Sequence, residues 1–345
     1  MKTANSSAKL AANLTFLACL LLVCGVAYGG SAGLQEGTNI TNGLDICREP
    51  KHESLNRGAA VPDFNYASNG DDWPGLCQTG QQQSPIDLPE KQNSTPKAIP
   101  SNQLIKFGPV NATGNAVLRR EIDEVEILSA NWANDFSIPV CGGDNIGCLD
   151  GSSDSASVQY MNASIVNMHF HANSEHTRAG TYYGAEAHLV TAITLNGKQR
   201  LVVFGTWMDI EGNKTNAFFE VVRPYIDQSN GAACNAVPDN VTFNVTSFLP
   251  SNKTYYAYRG SLTTPPCTEG VTWIVFNNPV QMSVPQLKTL YKSNSYTSQP
   301  CSNTTQTTNQ LCNILGARTN NRVLQPLNAR TIELGTPATS GAAAT

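Results

Sequence analysis

The sequence predicts a mainly β (α+β) protein: a single domain built on a central, largely antiparallel twisted β-sheet with a few short peripheral helices. Three observations carry that prediction. Short runs rich in branched and aromatic residues recur, separated by Gly, Asn or Pro, which is how strands and their turns are written. They include Leu104-Ile105-Lys106-Phe107, Ala116-Val117-Leu118-Arg119, Val125-Glu126-Ile127-Leu128 and segments 165–171, 187–195, 201–208 and 271–276. The run Leu201-Val202-Val203-Phe204-Gly205-Thr206-Trp207 is apolar almost throughout, as a central strand covered on both faces must be. Helix signals are sparse: residues 217–222, and 285–291 where Ser283 can cap and Pro285 open the first turn.

Taken in order, the chain begins with Lys2 and Lys9, an apolar run over 14–27 and then small residues, the pattern of a secretory signal peptide over 1–32. That run is shorter than the roughly 20 residues a membrane-crossing helix needs, so no membrane span is expected after cleavage. Residues 33–62 are polar and irregular, an N-terminal extension. The folded domain covers 63–333. Its first part, Phe64-Asn65-Tyr66 and Asp71-Asp72-Trp73-Pro74-Gly75, sets turn residues between aromatics and reads as loop lying over a core. Gln83-Ser84-Pro85-Ile86-Asp87-Leu88 then enters a short strand, and 141–157 reads as a surface insertion. Residues 334–345 form a flexible tail of Gly, Pro, Ala, Thr and Ser that lacks the hydrophobic stretch of a lipid-anchor signal.

Removing residues 1–32 takes away two lysines and no acid, which leaves 20 basic against 26 acidic residues. No basic stripe is available for nucleic acid. Charged residues make up 14% of the chain, against about 25% in an average domain. Sequons at Asn39, Asn93, Asn111, Asn162, Asn213, Asn240, Asn244, Asn252 and Asn303 are candidate glycan sites in a secreted protein. Eight cysteines follow the signal: Cys47, Cys77, Cys141, Cys148, Cys234, Cys267, Cys301 and Cys312. An even count in an oxidising compartment argues for disulfides, and no CxxC pair suggests a zinc knuckle. Cys141–Cys148 and Cys301–Cys312 would close short loops, but spacing does not fix the connectivity.

The stretch that carries chemistry is 167–190. Asn167-Met168-His169-Phe170-His171 alternates, so His169 and His171 share one strand face while Met168 and Phe170 take the other. Ala185-Glu186-Ala187-His188-Leu189-Val190 repeats the pattern, with Glu186, His188 and Val190 on one face. If the two strands pair antiparallel, three imidazoles converge. Three neutral imidazoles without a fourth protein ligand are the donor set of a catalytic zinc site, which keeps a position open for water. Ligand histidines need a partner on the other ring nitrogen, and Asn167 for His169 and Glu186 for His188 are of the right kind. The chain holds only five histidines, so three on lining faces outweigh coincidence.

With His169-Phe170-His171, Ser174-Glu175-His176-Thr177, Glu186-Ala187-His188-Leu189-Val190 and Gly260-Ser261-Leu262-Thr263-Thr264-Pro265-Pro266-Cys267-Thr268-Glu269 in this order, the chain resembles the alpha-class carbonic anhydrases. Gln83-Ser84-Pro85-Ile86-Asp87 and Asn320-Asn321-Arg322-Val323-Leu324-Gln325-Pro326-Leu327 extend the likeness over 63–333, which it makes the catalytic domain. The resemblance implies reversible hydration of carbon dioxide to bicarbonate and a proton by zinc-bound hydroxide, with Zn2+ held by His169, His171 and His188. It implies that Glu186 orients His188, and that Asn167 stands where the family commonly has Gln. Thr263 would accept a hydrogen bond from the hydroxide and donate its own to Glu175, with Thr264 on the same floor. The apolar pocket for the small-molecule substrate would be Val190, Val203, Leu262 and Trp273. Cys77 and Cys267 match a disulfide of family members outside the cytosol, which fits a secreted, extracellular or periplasmic protein. His176 reads as a structural brace. The proton-shuttle position falls in Thr113-Gly114-Asn115-Ala116-Val117, where Asn115 replaces the histidine of fast members and cannot relay a proton. A catalytically silent relative would be marked by loss of a ligand histidine, and none is lost here.

Overall fold

The computed structural model describes residues 64–90, 96–113, 116–120, 124–129, 131–142, 145–149, 157–228, 234–293 and 319–337, all within the compact unit Gly37–Thr345. The signal segment, the whole extension 33–62 with Cys47 and the sequon at Asn39, and Asn115, Cys301, Cys312 and the sequons at Asn93 and Asn303 lie outside the described residues.

Strands dominate. In chain order they are β1 (Asp87–Leu88), β2 (Lys97–Ala98), β3 (Val110–Thr113), β4 (Ala116–Arg120), β5 (Val125–Ser129), β6 (Trp132–Asn134), β7 (Ser137–Cys141), β8 (Asn145–Ile146), β9 (Val158–Asn162) and β10 (Ser164–His171). There follow β11 (Thr177–Arg178), β12 (Ala185–Leu195), β13 (Lys198–Asp209), β14 (Cys234–Ala236), β15 (Thr242–Asn244), β16 (Tyr255–Ser261), β17 (Glu269–Phe276), β18 (Val280–Gln281) and β19 (Glu333–Gly335). Among the described residues four α-helices lie beside them: α1 (Leu76–Thr79), α2 (Ala217–Gln228), α3 (Val245–Phe248) and α4 (Val284–Ser293). No helix among the described residues is long and apolar enough to cross a membrane.

The main sheet runs β14-β4-β5-β10-β12-β13-β17-β16-β19-β2, with β18 beside β13. Its pairs are antiparallel except β13 with β17 and β18, and β19 with β2. The long apolar strand β13 sits at the centre, as its composition requires. Alternation then sorts side chains to two covered faces. Met168, Phe170, Ala187, Leu189 and Phe204 join the larger core, together with Phe219 of α2 and Leu287 of α4. The opposite face gathers Val190, Val203, Trp207, Tyr258, Val271 and Trp273 into a second apolar cluster. Between β10 and β12 the register sets His169 opposite His188 and His171 opposite Glu186, and a bulge between Ile165 and Asn167 absorbs one residue.

Four local readings change. Leu104-Ile105-Lys106-Phe107 forms no strand, only the bridge Lys106↔Ser137. Pro100 before it and Gly108-Pro109 after it cut the ladder short, and its apolar content is spent on packing Phe107 against Phe136, Phe204, Tyr255 and Phe276. Helix α2 runs on through Pro224 to Gln228, because Phe218, Phe219, Val222 and Ile226 keep one continuous buried face. The segment after Cys141 is not wholly surface: β8 pairs with β7, the Cys141–Cys148 disulfide closes it, and Ile146, Cys148 and Leu149 are buried. Leu334 and Gly335, the first residues of the expected tail, belong to β19 and pair with Tyr256 and Tyr255.

Candidate metal centre

The strand pairing brings His169, His171 and His188 together, with one ring nitrogen of each lying within 4.8 Å of the others. All three are buried. Neighbouring groups fix which nitrogen of each ring carries the proton. Asn167 donates its Nδ2 to Glu126 Oε2 at 3.0 Å, which leaves Asn167 Oδ1 to accept from His169 Nδ1 at 3.0 Å. Glu126 is in turn held by Arg119 at 2.6 Å. His171 Nδ1 donates to the backbone carbonyl of Asn320 at 2.9 Å. His188 Nε2 donates to Glu186 Oε1 at 3.0 Å. The remaining lone pairs, on His169 Nε2, His171 Nε2 and His188 Nδ1, therefore face one another.

Those lone pairs suit a cation. His171 Nε2 is buried with no hydrogen-bond partner, and His188 Nδ1 stands 3.2 Å from His169 Nε2. Zn–N bonds of about 2.0–2.1 Å in a tetrahedron place neighbouring donor nitrogens about that far apart. The residues present thus fit the zinc that the donor chemistry implies. Burial pushes His188 down from the ordinary imidazole pKa, with His171 adding to the effect against the opposing pull of Glu186. A neutral imidazole is the form a metal needs.

A carboxylate–imidazole–phenol chain supports the trio from behind. Glu186 Oε1 also accepts from His176 Nδ1 at 2.7 Å, and His176 Nε2 lies 2.6 Å from the Tyr258 hydroxyl, which meets Ser84 Oγ at 2.8 Å. Glu186 Oε2 accepts the backbone N–H groups of Glu175 and His176 at 2.9 and 2.8 Å. Burial alone would raise the Glu186 pKa, but the charge and hydrogen bonds of His176 and His188 outweigh it and hold the carboxyl well below the usual range. Burial pushes the Tyr258 hydroxyl far above its ordinary pKa, so it stays a neutral donor or acceptor.

Glu175 reaches the same space. Its Oε1 accepts the backbone N–H of Arg322 at 2.9 Å; its Oε2 is buried without a hydrogen-bond partner, 3.6 Å from His171 Nε2. Arg322 is itself buried, donating to Gln83 Oε1 and to the carbonyls of Ser84 and Cys77, and burial lowers its pKa to about 10. Thr263 is buried and Thr264 half-buried after β16, on the loop that ends at the Cys77–Cys267 disulfide. Val190 pairs with Val203 and Val203 with Trp273, so three of the four expected pocket residues lie side by side across three strands. Leu262 packs on their cluster.

Several residues here had no assigned role in the sequence reading. The Asn320 carbonyl, the Arg322 backbone and the Tyr258 hydroxyl are among them. Another is Glu124, buried at the start of β5, whose Oε2 lies 3.5 Å from His169 Nε2. Its signal was in the alternation Glu124-Val125-Glu126-Ile127, which puts both acids on the histidine face while Val125 and Ile127 enter the core.

The family model of the eukaryotic-type carbonic anhydrases matches residues 68–335. A carbonic anhydrase of Dunaliella salina is 31% identical over 284 residues, spanning 78% of this chain but only 43% of the relative. One from Neisseria gonorrhoeae is 26% identical over 257 residues, spanning 74% of this chain and 79% of the relative. Among solved structures, the alpha-carbonic anhydrase of Thermovibrio ammonificans in complex with the inhibitor sulfanilamide superposes with a TM-score of 0.50 at 27% identity, covering 75% of this chain and 89% of that one.

Proposed function

The chain belongs to the eukaryotic-type carbonic anhydrase family, and from that premise we propose that it catalyses the reversible hydration of carbon dioxide to bicarbonate and a proton with zinc held by His169, His171 and His188. One observation carries the reading: three buried imidazoles whose protons are committed outward to Asn167, the Asn320 carbonyl and Glu186, so that three lone pairs meet. The ion, when bound, supplies the Lewis acidity that makes hydroxide available near pH 7, a value known from carbonic anhydrases themselves and taken over from them.

The remaining roles belong to the chain. Glu175 Oε2 is the acceptor left for the Thr263 hydroxyl, so that Thr263 can accept in turn from the attacking oxygen and aim its lone pair. Thr264 completes that floor. Carbon dioxide is uncharged, and the wall of Val190, Val203, Leu262 and Trp273 offers the apolar surface it needs beside the polar centre. Glu186, braced by His176 and two backbone N–H groups, keeps His188 turned toward the ion.

The Cys77–Cys267 and Cys141–Cys148 disulfides support an extracellular or periplasmic place of action. Exposed sequons at Asn162, Asn213, Asn240, Asn244 and Asn252 are open to glycosylation there. Metal analysis joined to stopped-flow carbon dioxide hydration tests the reading. The expected result is one zinc per chain and a rate far above the uncatalysed one; zinc-loaded protein with no acceleration would refute it.

A further inference from the structure

We propose that the polar cavity between α3, β18 and the loop 249–254 is a carbohydrate seat, filled by the chain's own N-linked glycan at Asn252. The inference rests on the extracellular reading of the chain and is independent of the zinc centre. The cavity holds about 640 Å3, within the roughly 300–1,000 Å3 of small-molecule sites. Hydroxyl and amide side chains line it, among them Asn216, Thr246, Ser251, Asn278 and Gln281, and no carboxylate does. Lys253 is the only ionisable side chain in the lining, and its Nζ donates to the Pro250 carbonyl. A metal ion therefore finds no negative charge here, and an anion finds one amine already committed. A neutral polyol finds hydroxyls and amides to bond, beside the apolar faces of Pro250 and Pro279.

Asn252 supplies the sugar. Asn252-Lys253-Thr254 is a sequon, and among the described sequon asparagines Asn252 is the one that lines this cavity. It is exposed, and its Oδ1 accepts the backbone N–H of Thr254 at 2.9 Å. That bond holds the side chain in an Asx turn and leaves Nδ2, the atom that carries a glycan, without a partner among the described residues. Ser251 and Asn278 likewise spend no side-chain hydrogen bond on another described residue, which keeps both for sugar hydroxyls. Attachment forms a bond from Asn252 Nδ2 to the anomeric carbon of an oligosaccharide and breaks that carbon's bond to the phosphate of a lipid-linked donor; the amide gives up one proton and the lipid pyrophosphate leaves. A ligand tethered this closely meets its seat at an effective concentration of about millimolar, so weak contacts suffice to hold it.

The test is site-resolved deglycosylation of the full chain secreted from a eukaryotic host. Peptide N-glycanase acts on the native protein, and glycopeptide mass spectrometry follows Asn252 beside the exposed sites Asn162 and Asn213. We expect release at Asn252 to be about tenfold slower than at those sites or slower still. The difference should vanish after denaturation, and also in native Asn278→Trp, whose indole takes up the cavity. Equal native release at all three sites overturns the proposal, as does a chain glycosylated at other sequons and not at Asn252. Slow release that persists in Asn278→Trp removes the cavity as its cause and overturns the seat. A chain that carries no glycan at any sequon overturns the extracellular reading and this proposal with it. If Asn278→Trp is not secreted, Ser251→Trp takes its place with the same two outcomes.

Discussion

His169 Nε2 and His188 Nδ1 stand 3.2 Å apart across the β10–β12 pair, each with its proton on the far nitrogen. With the protons so placed this approach is unfavourable without a cation, so the proposed ion binding would be coupled to folding at this point. Stripping the metal with a chelator is expected to lower the melting temperature by roughly 5–10 °C, since saturation about 100-fold above the dissociation constant is worth about 2.7 kcal/mol. Calorimetry before and after zinc is restored measures this. His171→Ala should abolish the zinc-dependent difference, and a variant that still responds to zinc would place the ion elsewhere.

Glu186 serves two rings and two backbone N–H groups, so Glu186→Gln strikes four partners at once. A glutamine oxygen can still accept from a ring, but its amide cannot accept from the N–H groups of Glu175 and His176. Leaving buried donors without a partner is expected to cost on the order of 3–5 kcal/mol in urea unfolding at neutral pH, and zinc affinity should fall about 10- to 100-fold. The Glu186 carboxyl titrates well below the usual range in the folded chain. Its contribution is therefore complete above the unfolded carboxylate pKa of about 4.3 and is lost progressively as pH falls below it. The wild-type advantage over the variant should accordingly be steady from pH 7 to 5 and shrink under stronger acid. An advantage that grew on acidification would contradict the assigned ionisation.

What could be read in advance follows from the kind of regularity involved. Strand alternation has a period of two, so placing His169 and His171 on one face and Met168 and Phe170 in the core needs only adjacent residues. The facing of His188 needed one further assumption, antiparallel pairing, which β10 and β12 meet. Residues brought in from far along the chain leave no such trace. The Asn320 carbonyl that orients His171 is 149 positions away, and the Arg322 N–H on Glu175 is 147. These are backbone groups, which every residue has, and only the fold selects them. Leu104-Ile105-Lys106-Phe107 failed as a strand for a related reason: its composition records burial, and burial by ring packing looks the same in sequence as burial in a ladder.

The Cys77–Cys267 disulfide joins α1 to the end of the Thr263–Thr264 loop across a separation of 190 residues. By loop entropy such a closure contributes on the order of 5 kcal/mol, and removal of a native bridge typically costs about 2–5 kcal/mol. The double variant Cys77→Ser with Cys267→Ser should lose that much in denaturant titration. Its hydration rate should fall further than its zinc content, because the freed segment carries Thr263 and not the ligands. Parallel loss of zinc and rate would mean that the bridge supports the whole domain and has no particular bearing on the loop.

The proposed hydration also releases a proton that must leave the site. The described residues hold four histidines: three aim a nitrogen at the proposed metal position, and His176 is buried with both nitrogens engaged, by Glu186 and Tyr258. None is placed to shuttle protons to bulk, the task for which a near-neutral pKa suits the imidazole. The proposed enzyme should therefore depend on external buffer, its hydration rate climbing with buffer concentration at fixed pH before levelling off. Introducing an imidazole by Asn115→His should raise the rate at low buffer by roughly tenfold or more and flatten that dependence. A wild-type rate indifferent to buffer would show that another group already carries the proton. A buffer-dependent wild type with no gain from Asn115→His would keep the missing relay but remove position 115 as the place where it belongs.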